Sequence, residues 1–138
     1  SFMLSADNAH AVHPHIPQKT DATNCVYMNE GIVVKSHAGQ KYTSDAVSVA
    51  VFKDLCKKAN VPVQFFANRS DEAGGSTLGN IAMAQVSMNS VDIGLPQLAM
   101  HSTYETAGIK DTYYMIQVMT EFFNCHISEV NSHSLKVD

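Results

Sequence analysis

The sequence lacks any cluster of positive charge. Lys57-Lys58 is its nearest approach to a basic run, and the formal net charge over 138 residues is −4 with histidine neutral. Such a chain has no electrostatic footprint for a phosphate backbone, so nothing points to a nucleic-acid partner. It also lacks an apolar run of the roughly eighteen residues that a membrane span needs. Residues 1–7 have neither the basic start nor the long apolar block of a secretory leader. Cysteine is scarce: Cys25, Cys56 and Cys125 are odd in number and widely spaced. That argues against a disulfide framework and against a thiolate zinc site, and it favours a reducing compartment, expected to be the cytoplasm. Internal repeats and low-complexity segments are missing as well. The opening Ser-Phe-Met-Leu has no initiator methionine, and the expectation is a piece of a longer polypeptide.

What is present is enough to build a core. Hydrophobic residues make up 45% and charged residues 16% of a chain that suits one domain. Residues 2–4 form a short apolar run, read as a buried strand leading into Asp7. A β-branched run over 31–35 reads as a second strand. Ser44 is a plausible N-cap for a helix over about 45–59. There Val47, Val51 and Leu55 recur at i+4, beside a row of Phe52, Cys56 and Ala59. Lys57 and Lys58 suit its C-terminal end, and Asn60 and Pro62 close it. Residues 63–67 read as a strand. The turn-rich segment 68–79 carries three glycines, and Gly74 or Gly75 is expected to need a positive φ.

Ser76 or Thr77 then caps a helix through Ile81, Met83 and Ala84, and residues 90–94 read as a strand. A last helix starts at Asp111 or Thr112 and runs to about Phe123, with Tyr114, Val118 and Phe122 spaced by four. The tail, 124–138, shows little pattern beyond Ile127 and Val130. This alternation predicts an α/β class, a sheet flanked by helices.

Four features carry possible chemistry. Residues 6–17, ADNAHAVHPHIP, hold Asp7 and three of the seven histidines, His10, His13 and His15. Asp7 with His10 three residues on, at a strand end, suits a metal or catalytic constellation, since carboxylate and imidazole ligands fit zinc, manganese or cobalt. The same residues also read as a polar loop in which Asp7 caps a turn. His101 follows a short strand, and strand ends are where open α/β sheets bind ligands; taken alone, an ordinary loop histidine is the plainer reading. The glycines of 68–79 precede a helix, a place where backbone N–H groups can hold an anion, but no lysine follows them as in a Walker loop. Lys35 and Tyr42 can face a pocket, although the surface is the default for a lysine. The cysteines read as inert, Cys56 as part of an apolar helix face.

Taken together, SADNAHAVHP (5–14), VKSHAGQKY (34–42), NRSDEAGGSTLG (68–79) and DIGLPQLAMHS (92–102) resemble, in order and interval, the M18 metallo-aminopeptidases, the aspartyl aminopeptidase family. The resemblance runs from about Met3 to Phe123. It implies a zinc-exopeptidase-like mixed sheet flanked by helices, with residues 1–138 as the C-terminal part of a catalytic domain. It implies two metal ions, zinc or else manganese or cobalt, with Asp7 a ligand of one and His101 of the other. His10, Lys35 and Tyr42 match substrate-contacting positions beside Asp7, and a cation at Lys35 suits an acidic side chain. The implied partners are a peptide substrate, the rest of the catalytic domain and further copies of the chain, commonly as a dodecamer.

One departure matters. The family's site also uses an upstream histidine, a bridging aspartate and a Glu-Glu pair that supplies the general base. No Glu-Glu dipeptide exists here: Glu30, Glu72, Glu105, Glu121 and Glu129 are isolated. The expectation is therefore part of an aminopeptidase, inactive by itself. A non-catalytic binding or assembly module of the same fold is the alternative. A mononuclear zinc protein using Asp7, His10 and His101 is a third reading.

Overall fold

In the computed structural model, which describes residues 1–131 and 134–138, the chain alternates between strands and helices. Its elements are β1 (Phe2–Ala6), β2 (Ala9–His10), a 3-10 turn (Pro17–Lys19), β3 (Ile32–Ser36), α1 (Ala46–Lys58), β4 (Val63–Ala67), α2 (Leu78–Gln85), β5 (Asn89–Gly94), β6 (Pro96–Leu98), β7 (Thr106–Ala107), α3 (Ile109–Asn124), β8 (Ile127–Asn131) and β9 (Ser134–Val137). The class is α/β with a mixed sheet, as expected. The central sheet has the order β1-β5-β3-β4. β1 runs parallel to β5 and β3 parallel to β4, while β5 and β3 are antiparallel. A second, three-stranded sheet has the order β2-β6-β7.

Strand periodicity divides the residues between two faces. On one face Ile32 and Val34 of β3 and Val91 and Ile93 of β5 meet Val51, Phe52 and Leu55 of α1 and Val118 of α3 in the main core. Phe52 and Leu55 are fully buried, and each such side chain is worth about 1.5–3 kcal/mol relative to exposure. The other face carries a smaller apolar cluster, Ala9, Val26, Val33, Tyr42 and Phe66. Interleaved with it are buried polar groups, Ser5, Lys35, Ser90 and Asp92. α2 lies on that side, close enough that a Cβ on Gly79 would fall 2.7 Å from Ser5 Oγ.

The starts of two helices differ from expectation. α1 is capped by Asp45, whose Oδ1 accepts from the Ser48 N–H at 2.9 Å. Ser44 is drawn away to β5, its Oγ accepting from the Asp92 N–H at 3.0 Å. α3 begins at Ile109 after Gly108, not at Asp111 or Thr112. Its first turn is capped from a distance: Asn29 Oδ1 accepts from the Lys110 N–H at 3.1 Å. Asp111, completely buried, points back and accepts from the N–H groups of Asn29 and Gly31, tying α3 to the entry of β3. The tail is more ordered than its pattern suggests. β8 and β9 form a hairpin whose Ile127, Leu135 and Val137 pack against the main core. Ser132 and His133, also in that tail, lie outside the described residues. Among the described residues no helix is long and apolar enough to cross a membrane.

Candidate active-site cleft

Asp7 leaves the end of β1 with its N–H bonded to Ile93 O at 2.9 Å. The turn hugs β5: a Cβ on Gly94 would lie 1.9 Å from the Asp7 carbonyl oxygen. Only glycine permits this approach, and it aims the Asp7 side chain, 55% exposed, into a cleft of about 700 Å³. Asp7, His10, Lys35, Tyr42 and His101 all line that cleft, and Gly74 and Gly75 form part of another wall. Neither glycine has the expected positive φ; Gly31, at 118°, is the one described glycine that does. Gly74 lies close to the Asn68 amide instead, and a Cβ there would displace that side chain.

Lys35 is not the surface residue that its type suggests. It is 3% exposed, held under the cleft floor by its place on β3 opposite Phe66 of β4. Its Nζ lies 4.0 Å from Asp7 Oδ2, 3.4 Å from Asn8 O and 5.2 Å from the centre of the Tyr42 ring. Burial lowers the Lys35 pKa, with Asp7 and Asp92 opposing the shift. Tyr42 is buried too, edge-on to His37 and Phe66. Burial raises its phenol, so Tyr42 stays a neutral hydrogen-bond donor at ordinary pH. His10 sits on β2, and its pKa is lowered by burial first and then by the nearby His101 and Lys35 charges. Its imidazole is consequently neutral at pH 7.

The His101 loop is strained. Ala99 (φ 55°) and His101 (φ 66°) both occupy the left-handed region, which costs a non-glycine residue about 1–2 kcal/mol. The Glu105 carboxylate holds the turn by accepting from the His101 N–H at 2.6 Å. Asn8 and Gln97, missed in the sequence, join their side-chain amides and so fasten the Asp7 loop to the strand that leads to His101. Asn68 and Phe66 were also missed. The sequence reads 63–67 only as a strand; it is the register with β3 that sets Phe66 beside Lys35. His13 reaches the rim, while His15 packs edge-on to it in the exposed loop. None of the cysteines lines the cleft. Burial pushes the Cys56 thiol up to about 12, which makes it inert.

The donor types fit a zinc ion, one carboxylate and imidazoles, but the set is short. Among the described residues no three histidine, cysteine or acidic side chains converge as a metal cage. Asp7 and His101 can hold only part of a metal site.

The cleft thus opens at the strand ends of a mixed sheet and is lined by a carboxylate, imidazoles and a buried cation. The sequence profile described as "Aminopeptidase I zinc metalloprotease (M18)" matches residues 1–123, and the chain belongs to the M18 family. It is 54% identical over 124 residues to a probable M18 family aminopeptidase 2 of Clostridium novyi, a match that covers 90% of this chain but 29% of the relative. Among solved structures, a chain of the Ape4 and Nbr1 complex superposes with a TM-score of 0.87 at 38% identity, covering 88% of this chain and 23% of that one. The S. cerevisiae mApe1 dodecamer follows with 0.78 at 26% identity, covering 88% and 26%. The chain thus spans less than a third of the length of these relatives.

Proposed function

We propose that residues 1–138 are the C-terminal part of the catalytic domain of a two-metal aminopeptidase that removes N-terminal, acidic residues from peptides. Asp7 and His101 are its ligands to the metal pair. His10, Lys35 and Tyr42, together with Asp7, face the substrate. The observation that carries the reading is convergence: these five residues, from three separate stretches of sequence, line one cleft. Bound zinc ions would supply a water of lowered pKa and polarise the scissile carbonyl. The chain's own groups position the peptide. The Lys35 cation at the cleft floor suits a carboxylate side chain. Neutral His10 and the Tyr42 phenol can donate to an oxygen that gains charge. The three free thiols fit a reducing compartment, the cytoplasm. Further copies of the chain, as in the mApe1 dodecamer, are the expected assembly partners.

The general base and bridging carboxylate lie outside this chain. The isolated chain should therefore bind zinc weakly and hydrolyse nothing. The test compares the 138-residue chain with the intact polypeptide on Asp- and Glu-p-nitroanilide, with and without chelator. Chelator-sensitive turnover by the intact polypeptide alone is expected. Turnover by the 138-residue chain, or none by the intact polypeptide, would overturn the reading; the second outcome would favour an assembly module.

A further inference from the structure

We infer that Asp92 is a positioning residue: its buried carboxylate ties two walls of the cleft, the segment that carries Tyr42 and the glycine-rich segment that ends at Thr77, to the central sheet. The inference rests on the reading of the cleft as the substrate site. Asp92 does not line the cleft; it lies beneath it, completely buried on β5. Strand pairing puts it beside Ser5 of β1. On the other side, continuing the β3–β5 register of Val33 with Gly94 and Val34 with Ile93 brings Lys35 opposite Asp92.

One oxygen does the tying. Asp92 Oδ2 accepts from the Thr43 N–H at 2.6 Å, from Thr43 Oγ1 at 3.1 Å and from Thr77 Oγ1 at 3.0 Å. Thr43 follows Tyr42 directly, and Thr77 is the N-cap residue of α2 that closes the wall holding Asn68, Gly74 and Gly75. Thr77 makes no side-chain bond to its own helix; its hydroxyl is given to Asp92 instead. Ser44 adds a fourth link through the Asp92 N–H, and Thr43 Oγ1 a fifth to Ser90 Oγ at 3.0 Å. The other oxygen, Oδ1, is buried without a hydrogen-bond partner.

A carboxylate in this place is expensive for stability alone. A buried charge costs free energy unless its acceptors are filled, and half of this one is not. What a charge brings is strength at the filled half, since bonds to an ionised acceptor are about twice as strong as neutral ones. Three donors from the two segments converge on that half. The segments also meet above it, where Lys41 Nζ donates to Gly74 O at 2.7 Å and the Asn80 amide to Lys41 O, but only Asp92 joins both to the central sheet. Lys35 and Tyr42 both lie within its field. The arrangement fixes the walls that would contact the substrate and leaves the metal-facing Asp7 and His101 on other supports.

Hydrogen exchange, read by mass spectrometry on the 138-residue chain, tests the tie directly. In Asp92→Asn, exchange should rise about tenfold in peptides covering 41–45 and 75–79, the equivalent of losing one charge-assisted bond. Peptides covering 32–36 and 46–58 should stay within about twofold of wild type. Thr77→Val, which removes a single donor, should loosen 75–79 and leave 41–45 unchanged, and it keeps the test open if the Asp92 variant does not fold. In the intact polypeptide, Asp92→Asn should raise KM for Glu-p-nitroanilide about tenfold while kcat stays within about threefold. Unchanged exchange in both walls, or equal loosening of walls and core strands, would overturn the inference. An inactive wild-type polypeptide would sink the functional reading but leave the exchange result to decide the tie.

Discussion

Replacing Lys35 with methionine separates the stability of the fold from the use of the cleft. The Lys35 ammonium is 3% exposed, and removing such an ion from water costs several kcal/mol even after relaxation. The compensations are thin. Its ion pair with Asp7 spans 4.0 Å, and Asp7 is 55% exposed; Coulomb attraction at that distance is about 1 kcal/mol in a water-like medium and about 4 kcal/mol at an effective dielectric of 20. Exposure of one partner puts the pair near the lower figure. The bond to Asn8 O, at 3.4 Å, is at the limit of usefulness. The Tyr42 ring at 5.2 Å adds about 1 kcal/mol. Methionine follows the same unbranched path between Tyr42 and Phe66 without the charge. Lys35→Met should therefore be as stable as wild type or up to about 2 kcal/mol more stable. Urea denaturation at pH 7 measures this as a higher midpoint with an unchanged slope.

The sign with pH follows from the lowered Lys35 pKa. Between the folded value and the ordinary 10.5, the unfolded chain binds more protons, so wild-type stability rises as pH climbs through that window. The advantage of the methionine variant should shrink accordingly and vanish above it. A loss of more than about 1 kcal/mol at pH 7 would refute the reasoning and make Lys35 part of the scaffold.

Three further outcomes follow from the cleft. Gly94→Ala should cost at least about 2 kcal/mol by urea denaturation, because its Cβ would fall 1.9 Å from the Asp7 carbonyl oxygen. Ala99→Gly should stabilise the chain by about 0.5–1 kcal/mol, since relief of the left-handed strain at φ 55° exceeds the added chain entropy; a drop in the midpoint would show that Ala99 packs rather than strains. His10 should titrate below 6.5 by NMR, and Lys35→Met should move its midpoint back up by removing one of the charges that depress it. Because the folded value is the lower one, the His10 contribution to stability is complete above 6.5 and fades as pH falls below it.

The parts legible in the sequence are those whose signal is local. β3, β4 and β5 announce themselves as β-branched and aromatic runs, and α1 by the i+4 row of Val47, Val51 and Leu55. The start of α3 was not legible because its cap, Asn29, is far away in sequence, and the aspartate that resembles a local cap, Asp111, is spent on β3. The β8–β9 hairpin alternates weakly, with only Ile127, Leu135 and Val137 turned to the core, so its pairing register could not be read. At the cleft, local pattern raised Asp7, His10, Lys35, Tyr42 and His101 as candidates, each beside an ordinary loop or surface reading, and only the resemblance of the four stretches to one family gave them roles. The burial of Lys35 and the convergence on Asp92 depend on the register between strands, which no single stretch of sequence contains.

That register also explains how one thin sheet serves two purposes. In β1, β3 and β5 one parity supplies the main core: Phe2 and Leu4, Ile32 and Val34, Val91 and Ile93, with polar residues on it at strand ends, Ser36 and Asn89. The other parity carries Ser5, Lys35, Ser90 and Asp92, which are buried as deeply but beneath the cleft. A sheet selected for stability alone would be apolar on both parities once both faces are covered. Here the second face is covered and, beside its small apolar cluster, still holds polar groups: Asp92 Oδ2 and Ser90 are bonded from Thr43 and Thr77, Asp92 Oδ1 has no hydrogen-bond partner, and Lys35 has a long bond to Asn8 O. The main core must therefore outweigh a deficit on the cleft face. Residues that line the deficit are those whose removal should leave the fold standing and the cleft disabled, whereas Phe52, Leu55 or Ile93 should show the reverse.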